Sequence, residues 1–132
     1  MTPNEASHLV IGAALTVHTA LGAGLMERPY DVCLCYELAQ LGLKFEHQLK
    51  LPVTYKGIAI PLAYRVDFLV EDCLIVEVKC VEKLLPVHTA QLITYLKLTN
   101  LPAGLLMNFN DTTLKAGLRR VDHPDRYKTT RA

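Results

Sequence analysis

The stretch YRVDFLVEDCLIVEVKC, residues 64–80, contains the pattern on which the fold prediction depends. Its two apolar runs, joined by a short acidic turn, predict an antiparallel pair of β-strands. Three charged residues, Asp67, Glu77 and Lys79, interrupt these runs, although a hydrophobic core tolerates unpaired charge poorly. Glu77 and Lys79 are two residues apart, so their side chains leave the same face of their strand. The charged positions therefore need an explanation of their own.

The length of the connecting loop determines whether Asp67 joins that face. A three-residue loop, 71–73, would place Asp67 directly opposite Glu77, whereas a two-residue loop would pair Asp67 with Val76. Two carboxylates at cross-strand distance repel each other unless a positive charge lies between them. A common site for the charged residues requires the three-residue loop or a compensating bulge.

A divalent cation would account for two facing carboxylates. The charge of Lys79 offsets only part of their repulsion, whereas Mg²⁺ favours a site of one or two carboxylates together with substrate phosphate oxygens. The alternative is a buried ion pair between Lys79 and one of the acids. Such a pair is costly to desolvate and would leave the other carboxylate uncompensated. The residues favour a cation site and leave the ion pair open.

The rest of the sequence predicts elements before and after this strand pair. Thr2, Pro3 and Glu5 have the form of a capping box at the start of a first helix. Pro52 indicates an edge position or a bulge in the first strand. The polar tail from Arg119 is expected to fray. The predicted order is α-α-β-β-β-α-β-α, an α/β domain with a mixed sheet, whose later elements cover residues 25–41, 44–55, 62–70, 73–80, 87–98, 103–109 and 111–118.

Polar residues on two predicted helices point towards the same site. In the second helix an apolar stripe at helical spacing extends one turn back to Glu27, which would place this carboxylate on the inward face. The stripe consists of Tyr30, Leu34, Leu38 and Leu41. The alternative role for Glu27 is a capping acid that the helix dipole favours.

The third helix carries Gln91 and Tyr95, which are four residues apart and share a face, with His88 one turn before. The alternative is a polar rim on a solvated face. Neither this pair nor Glu27 is specific when taken alone.

Composition limits the class of protein. The 132 residues are 51% hydrophobic and 20% charged, which is typical of a single globular domain; we assign it to residues 1–121, followed by a polar tail, 122–132. A net charge of +1 gives no argument from bulk basicity for a polyanionic partner. No apolar run reaches about 18 residues and the N-terminus has no basic segment, so we expect a cytoplasmic protein without a membrane span. Four cysteines without zinc-site spacing are expected to be reduced.

Asp67, followed ten residues later by Glu77-Val78-Lys79, resembles the D…(D/E)-x-K motif of the PD-(D/E)XK nuclease superfamily. The residue before Asp67 is Val66, where the superfamily pattern has proline; this departure leaves the metal-binding positions intact. The resemblance implies a restriction-endonuclease-like αβββαβ core with a mixed central sheet flanked by helices, which agrees with the element order predicted above.

A second motif narrows the resemblance. The stretch GLMERPY matches G-x-x-E-x-x-Y, with Gly24, Glu27 and Tyr30 at the named positions. With VHTALGAG before it and VEKLLPVHTAQLITYL after the E-x-K residues, the chain is similar to the GxxExxY protein family, which is placed in that superfamily. The similarity extends from about residue 8 to Arg120, and the ordered set is far more specific than E-x-K alone.

The resemblance implies a metal site. Asp67 and Glu77 would bind Mg²⁺ or Mn²⁺, with the Val78 carbonyl as a third ligand. Glu27 matches the helix-borne acid that some branches add to this site, usually through water.

The resemblance also implies catalytic groups. Lys79 would orient or deprotonate the attacking water and stabilise the pentacovalent phosphorus. Gln91 and Tyr95 match a Q-x-x-x-Y helix motif of exonuclease-type branches, in which they support the lysine or contact the phosphate.

The leading functional prediction is a Mg²⁺-dependent nuclease whose substrate is nucleic acid, with DNA as the expected form. The sequence contains no module for reading bases, so contacts would go to the phosphate backbone. The small size leaves room for a homodimer or a partner protein. The alternative is a binding or assembly module that kept the nuclease fold without turnover.

Overall fold

The computed structural model describes residues 1–125, except for the side chains at positions 62 and 63. Three helices and five strands follow one another in the order α-α-β-β-β-α-β-β. Their bounds are α1 Pro3–Leu21, α2 Glu27–Gln40, β1 Phe45–Tyr55, β2 Ile58–Val70, β3 Leu74–Lys79, α3 Pro86–Thr99, β4 Ala103–Asn108 and β5 Leu118–Asp122.

The five strands form one mixed sheet in the order β1-β2-β3-β4-β5. Neighbouring strands are antiparallel except β3 and β4, which are parallel because α3 connects them as a crossover. The predicted αβββαβ core and its mixed sheet are confirmed. No helix among residues 1–125 is long and apolar enough to cross a bilayer.

Two hydrophobic cores cover the two faces of the sheet. The larger packs α1 and α2 against the central strands, and the smaller packs α3 against the opposite face. Each face of the sheet is thereby shielded by helices, as in other layered α/β domains. The four cysteines are free and half-buried, as expected.

The entry into α1 and α2 follows the local sequence signals. The Thr2 hydroxyl accepts from the Glu5 N–H over 3.1 Å, and the Glu5 carboxylate accepts from the Thr2 N–H, so the capping box is confirmed. The predicted stripe of α2 is buried from Tyr30 to Leu38. Its last member, Leu41, is 49% exposed because it follows the final helical turn as the C-cap.

Pro52 lies in the edge strand of the sheet, and the β1–β2 register shifts between Leu51 and Val53. Both readings of Pro52, as an edge residue and at an irregularity, are therefore confirmed. Strand β2 begins at Ile58, four residues earlier than predicted, and it passes through Pro61. The β1–β2 hairpin is consequently longer than the sequence pattern indicates.

The C-terminal part of the prediction is wrong in two respects. The helix expected over residues 111–118 is only a short 3₁₀ turn, Lys115–Gly117, and the segment expected to fray from Arg119 onwards begins within β5. Backbone pairing with β4 orders this polar strand, because β4 would otherwise present unpaired N–H and C=O groups at the sheet edge. The backbone hydrogen bonds continue one residue beyond β5, where the His123 N–H donates to the Pro102 carbonyl. Residues 126–132 of the predicted tail lie outside the described part.

Candidate active site

The β2–β3 hairpin has the register that the charged residues require. Val70 pairs with Leu74 and Phe68 with Val76, so the loop contains three residues. One further step along the same register brings Asp67 opposite Glu77. The three-residue loop is confirmed.

At Asp67 the backbone ladder gives way to side-chain hydrogen bonds. The Asp67 N–H donates to Oε1 of Glu77 over 3.1 Å, and the Val78 N–H donates to Oδ2 of Asp67 over 2.8 Å. Each carboxylate therefore takes a main-chain donor of the facing strand. Glu77 is only 4% exposed, and Asp67 is half-buried.

A local twist of β2 coincides with this opening. Val66 packs in the core under α3, whereas Phe68, two residues on, packs in the core under α1 and α2. Residues two apart on a regular strand would share a face, so the strand turns at the residue between them. On β1, Gln48 lies opposite Asp67 with a φ of 57°, which is an unusual value for a residue with a side chain. The irregular backbone thus lies beside the proposed metal ligands.

Burial controls the ionisation of both acids, and a neighbouring carboxylate adds to its effect on each. Burial, followed by the charge of Asp67, raises the pKa of Glu77 to about 8. Burial also raises the pKa of Asp67, and the hydrogen bond from the Val78 N–H opposes this shift. A buried and a half-buried carboxylate with raised pKa values lack sufficient positive charge around them. A cation at this position would supply it.

The third charged residue and the α3 pair lie next to these acids. Nζ of Lys79 donates to Oε1 of Gln91 over 3.5 Å, at the outer limit of a hydrogen bond. Tyr95 is 4% exposed, and burial, with the charges of Glu77 and Asp67 as further causes, raises the pKa of its hydroxyl to about 12. The structure therefore brings the sequence-predicted residues of β2, β3 and α3 together.

Glu27 reaches the site from the other side, as the first residue of α2. It lines, with Asp67, a cavity of about 350 Å³. Partial burial and the nearby charge of Asp67 raise the pKa of Glu27. Glu27 also lies in the first turn of α2, the position that its alternative role as an acid favoured by the helix dipole requires.

The turn before Glu27 is held by the tyrosine of the same motif. The Tyr30 hydroxyl donates to the Gly22 carbonyl over 2.6 Å and accepts from the Leu25 N–H over 3.2 Å. Gly24 has a φ of 101°, which side-chain-bearing residues rarely adopt. The three named positions of GLMERPY thus have distinct tasks, since Gly24 and Tyr30 shape the turn that presents Glu27.

Among the polar residues at the site, the sequence reasoning missed Asp31, His47 and Arg65. Asp31 and His47 line the cavity that Glu27 shares with Asp67, and Nε2 of His47 lies 2.7 Å from Oδ2 of Asp31. Arg65 lines the same cavity. The spacing of four between Glu27 and Asp31 was a usable signal, because such residues share a helix face. No local pattern marked the other two.

The donor set suits a hard cation that keeps water or substrate ligands. Within residues 1–125, no three His, Cys, Asp or Glu side chains converge closely enough to form a metal cage. Asp67 and Glu77 supply two carboxylates, and Mg²⁺ typically uses one or two protein carboxylates plus waters and phosphate oxygens. The residues present therefore fit Mg²⁺ or Mn²⁺ better than a metal that requires a complete protein ligand set.

Comparison with known proteins agrees with this geometry. No curated protein and no solved structure matches the chain significantly. A family model described as the PD-(D/E)XK nuclease superfamily matches residues 4–121, a span that runs from the first turn of α1 into β5. The match includes both strands of the acidic hairpin and the two helices beside it. This nuclease-like chain belongs to the PD-(D/E)XK nuclease superfamily.

Proposed function

We propose that the protein is a nuclease that hydrolyses phosphodiester bonds of nucleic acid, DNA in the first place, with the help of Mg²⁺ or Mn²⁺. The observation that carries the proposal is the Asp67–Glu77 pair, in which each carboxylate accepts from a main-chain N–H of the facing strand and burial raises both pKa values. Superfamily membership supports the nuclease class, and the raised pKa values support a cation at the pair. The finer assignment to the GxxExxY family rests on Gly24, Glu27 and Tyr30.

The metal would be held by Asp67, Glu77 and the Val78 carbonyl, with Glu27 acting through water. When bound there, a divalent cation would supply Lewis-acid polarisation of the scissile phosphate and would make the attacking water more acidic. The chain's own contribution is a fixed pair of carboxylates, since the Asp67 and Val78 N–H groups hold their oxygens in place. These ligands need little reorganisation on binding, which favours catalysis.

Lys79 orients the attacking water and stabilises charge that develops at phosphorus. The Oε1 atom of Gln91 accepts from its ammonium group and so keeps it beside the carboxylates. The Tyr95 hydroxyl is protonated at neutral pH, since its ordinary pKa of 10.0 already lies above that range and burial raises the pKa further. It can therefore donate a hydrogen bond to a phosphate oxygen.

The test is a panel of end-labelled single-stranded and duplex DNA and RNA, incubated with Mg²⁺, Mn²⁺ or a chelator. We expect metal-dependent cleavage that Lys79→Ala lowers by about 100-fold or more, because a preorganised charge at the reacting phosphate is lost. Lys115→Ala serves as the matched control, since Lys115 is exposed on the 3₁₀ turn and does not line the cavity that Glu27 shares with Asp67. Its activity should stay near that of the wild type.

Three results would count against the nuclease or its metal site. Cleavage that Lys79→Ala leaves unchanged would indicate a contaminating enzyme. Metal binding by calorimetry that Asp67→Ala, Glu77→Ala abolishes, together with no cleavage of any substrate, would favour the binding module instead. Equally weak metal binding by the wild type and by the double variant would show that Asp67 and Glu77 do not form a metal site.

A further inference from the structure

A second cavity opens beside the proposed catalytic residues, between the β1–β2 hairpin and α3. It measures about 720 Å³, within the range of ligand-binding pockets. One side is apolar and consists of Pro52, Ile60, Pro61 and Tyr64. The other side includes Gln91 and Tyr95, which belong to the proposed active site. The cavity therefore adjoins the proposed active site, and Arg65 lines both this cavity and the one that Glu27 shares with Asp67.

An aromatic pair lies within this cavity. The rings of Tyr64 and Tyr95 are 5.4 Å apart between centroids and inclined by 67°, the edge-to-face arrangement that aromatic pairs prefer. Tyr95 is almost completely buried, whereas Tyr64 remains 38% exposed. Tyr64 is thus held in position by its neighbour and still accessible to a ligand.

Two cations lie at the rim of the cavity. Lys50 on β1 and Arg65 on β2 pair directly across the hairpin, and both are exposed. Within residues 1–125, neither forms a salt bridge with a carboxylate. Paired basic groups beside an apolar aromatic pocket complement a ligand with anionic groups next to a flat ring.

We propose that this cavity binds an unpaired base of a single nucleic-acid strand, with the adjoining phosphates on Lys50 and Arg65. The inference rests on the proposed function and adds a substrate class to it. Bases in a duplex are stacked inside the helix and do not expose a free face, whereas single strands place theirs on aromatic side chains. An occupant of this kind would bring the next phosphodiester towards Asp67 and Glu77.

The experiment separates the base from the phosphates. Binding of an oligothymidylate is compared with binding of an abasic strand of equal length and charge, by fluorescence anisotropy in a chelator. We expect the wild type to prefer the strand with bases by about 5-fold or more, since stacking contributes about 1–3 kcal/mol per base. Tyr64→Ala should abolish this preference, and Tyr64→Phe should retain it because the ring remains.

Two controls separate the base contact from general effects. Tyr55 is another exposed tyrosine of the same hairpin and does not line the cavity, so Tyr55→Ala should keep the preference. Lys50→Ala should weaken both strands alike and reduce the salt dependence of binding, as expected of a phosphate contact.

The inference is overturned if the wild type binds both strands equally, if it binds neither, or if Tyr64→Ala keeps the preference. Its failure is distinct from that of the nuclease proposal, because no cleavage is measured. Metal-dependent cleavage without a preference for the strand with bases would contradict the base-binding proposal and leave the nuclease proposal intact. Base preference without cleavage in the substrate panel would leave the pocket and remove the nuclease.

Discussion

At the end of the β2–β3 ladder, side-chain hydrogen bonds replace the backbone pairing of Asp67 and Glu77. The Asp67 N–H donates to Oε1 of Glu77 over 3.1 Å. The Asp67 carboxylate in turn accepts from the Val78 N–H. This arrangement fixes two acids side by side where the sheet would otherwise continue its backbone pairing. We expect their burial to make the stability of the metal-free protein depend on pH and on divalent cations.

Metal-free protein should become less stable as the pH rises from about 5 to about 8. Glu77 has a pKa of about 8 in the folded protein against 4.5 as its ordinary value. Between these values the folded state retains a proton that the unfolded chain has released, so stability falls with rising pH. Thermal unfolding in a chelator should show that the free energy of unfolding of the wild type falls by a few kcal/mol over this pH range. The slope of the free energy of unfolding against pH should be much smaller in Glu77→Gln, because the glutamine at position 77 is not ionisable.

The control for this measurement is Glu82→Gln, which changes an exposed carboxylate near the end of β3. Its pH dependence should follow the wild type. An undiminished slope in Glu77→Gln would show that the buried acid does not cause the effect.

Mg²⁺ or Mn²⁺ should raise the unfolding temperature of the wild type at about pH 8, because the cation binds only the folded pair. Ligand at 100 times its Kd stabilises a protein by about 2.7 kcal/mol. Asp67→Asn removes one carboxylate and should lose most of this gain. Asp72→Asn is the matched control, since Asp72 forms an exposed salt bridge with Lys44. Equal stabilisation of Asp67→Asn and Asp72→Asn would place the bound metal elsewhere.

The charged hairpin could be predicted because its chemistry and its register constrain each other. Only a three-residue loop brings Asp67 opposite Glu77 in a regular ladder. The expectation that the charged residues share one site therefore predicted the register of backbone pairing. Asp31 and His47 could not be paired in this way. They lie 16 residues apart on different elements, and their contact depends on how α2 packs against the sheet.

The errors at β2 and β5 have the same physical origin. Pro61 argues locally against a strand, yet β2 passes through it because the long β1–β2 hairpin supplies other pairing positions. The segment from Leu118 to Asp122 has little strand character of its own and becomes β5 through pairing with β4. Tertiary pairing thus overrides local preference, and the 720 Å³ cavity, which depends on the longer hairpin, was not foreseeable.

Tyr30→Phe should reduce stability by about 1–3 kcal/mol, because the Gly22 carbonyl and the Leu25 N–H both lose their partner. The ring itself should keep its stacking on Phe109, 4.8 Å away between centroids. Since this turn leads into Glu27, the variant should also bind metal more weakly. Urea unfolding and calorimetry measure the two effects.

Tyr36→Phe provides the comparison for that variant. Tyr36 lies on the same helix but is 61% exposed, so its hydroxyl should contribute little. A Tyr30→Phe protein as stable as Tyr36→Phe would mean that water replaces the lost hydroxyl at no cost.

Gly104→Ala should destabilise the protein by about 1–3 kcal/mol through overpacking beneath α3. A Cβ at Gly104 would lie 2.7 Å from Cδ1 of Leu92, which is fully buried and adjacent to Gln91. Truncation of the clashing side chain should relieve the strain, so Gly104→Ala, Leu92→Val should be more stable than the sum of the single changes predicts. Urea unfolding of the four proteins gives the coupling free energy, which we expect to exceed about 0.5 kcal/mol. Additive effects would mean that α3 shifts as a whole, and cleavage should then fall in Gly104→Ala because Gln91 moves with the helix.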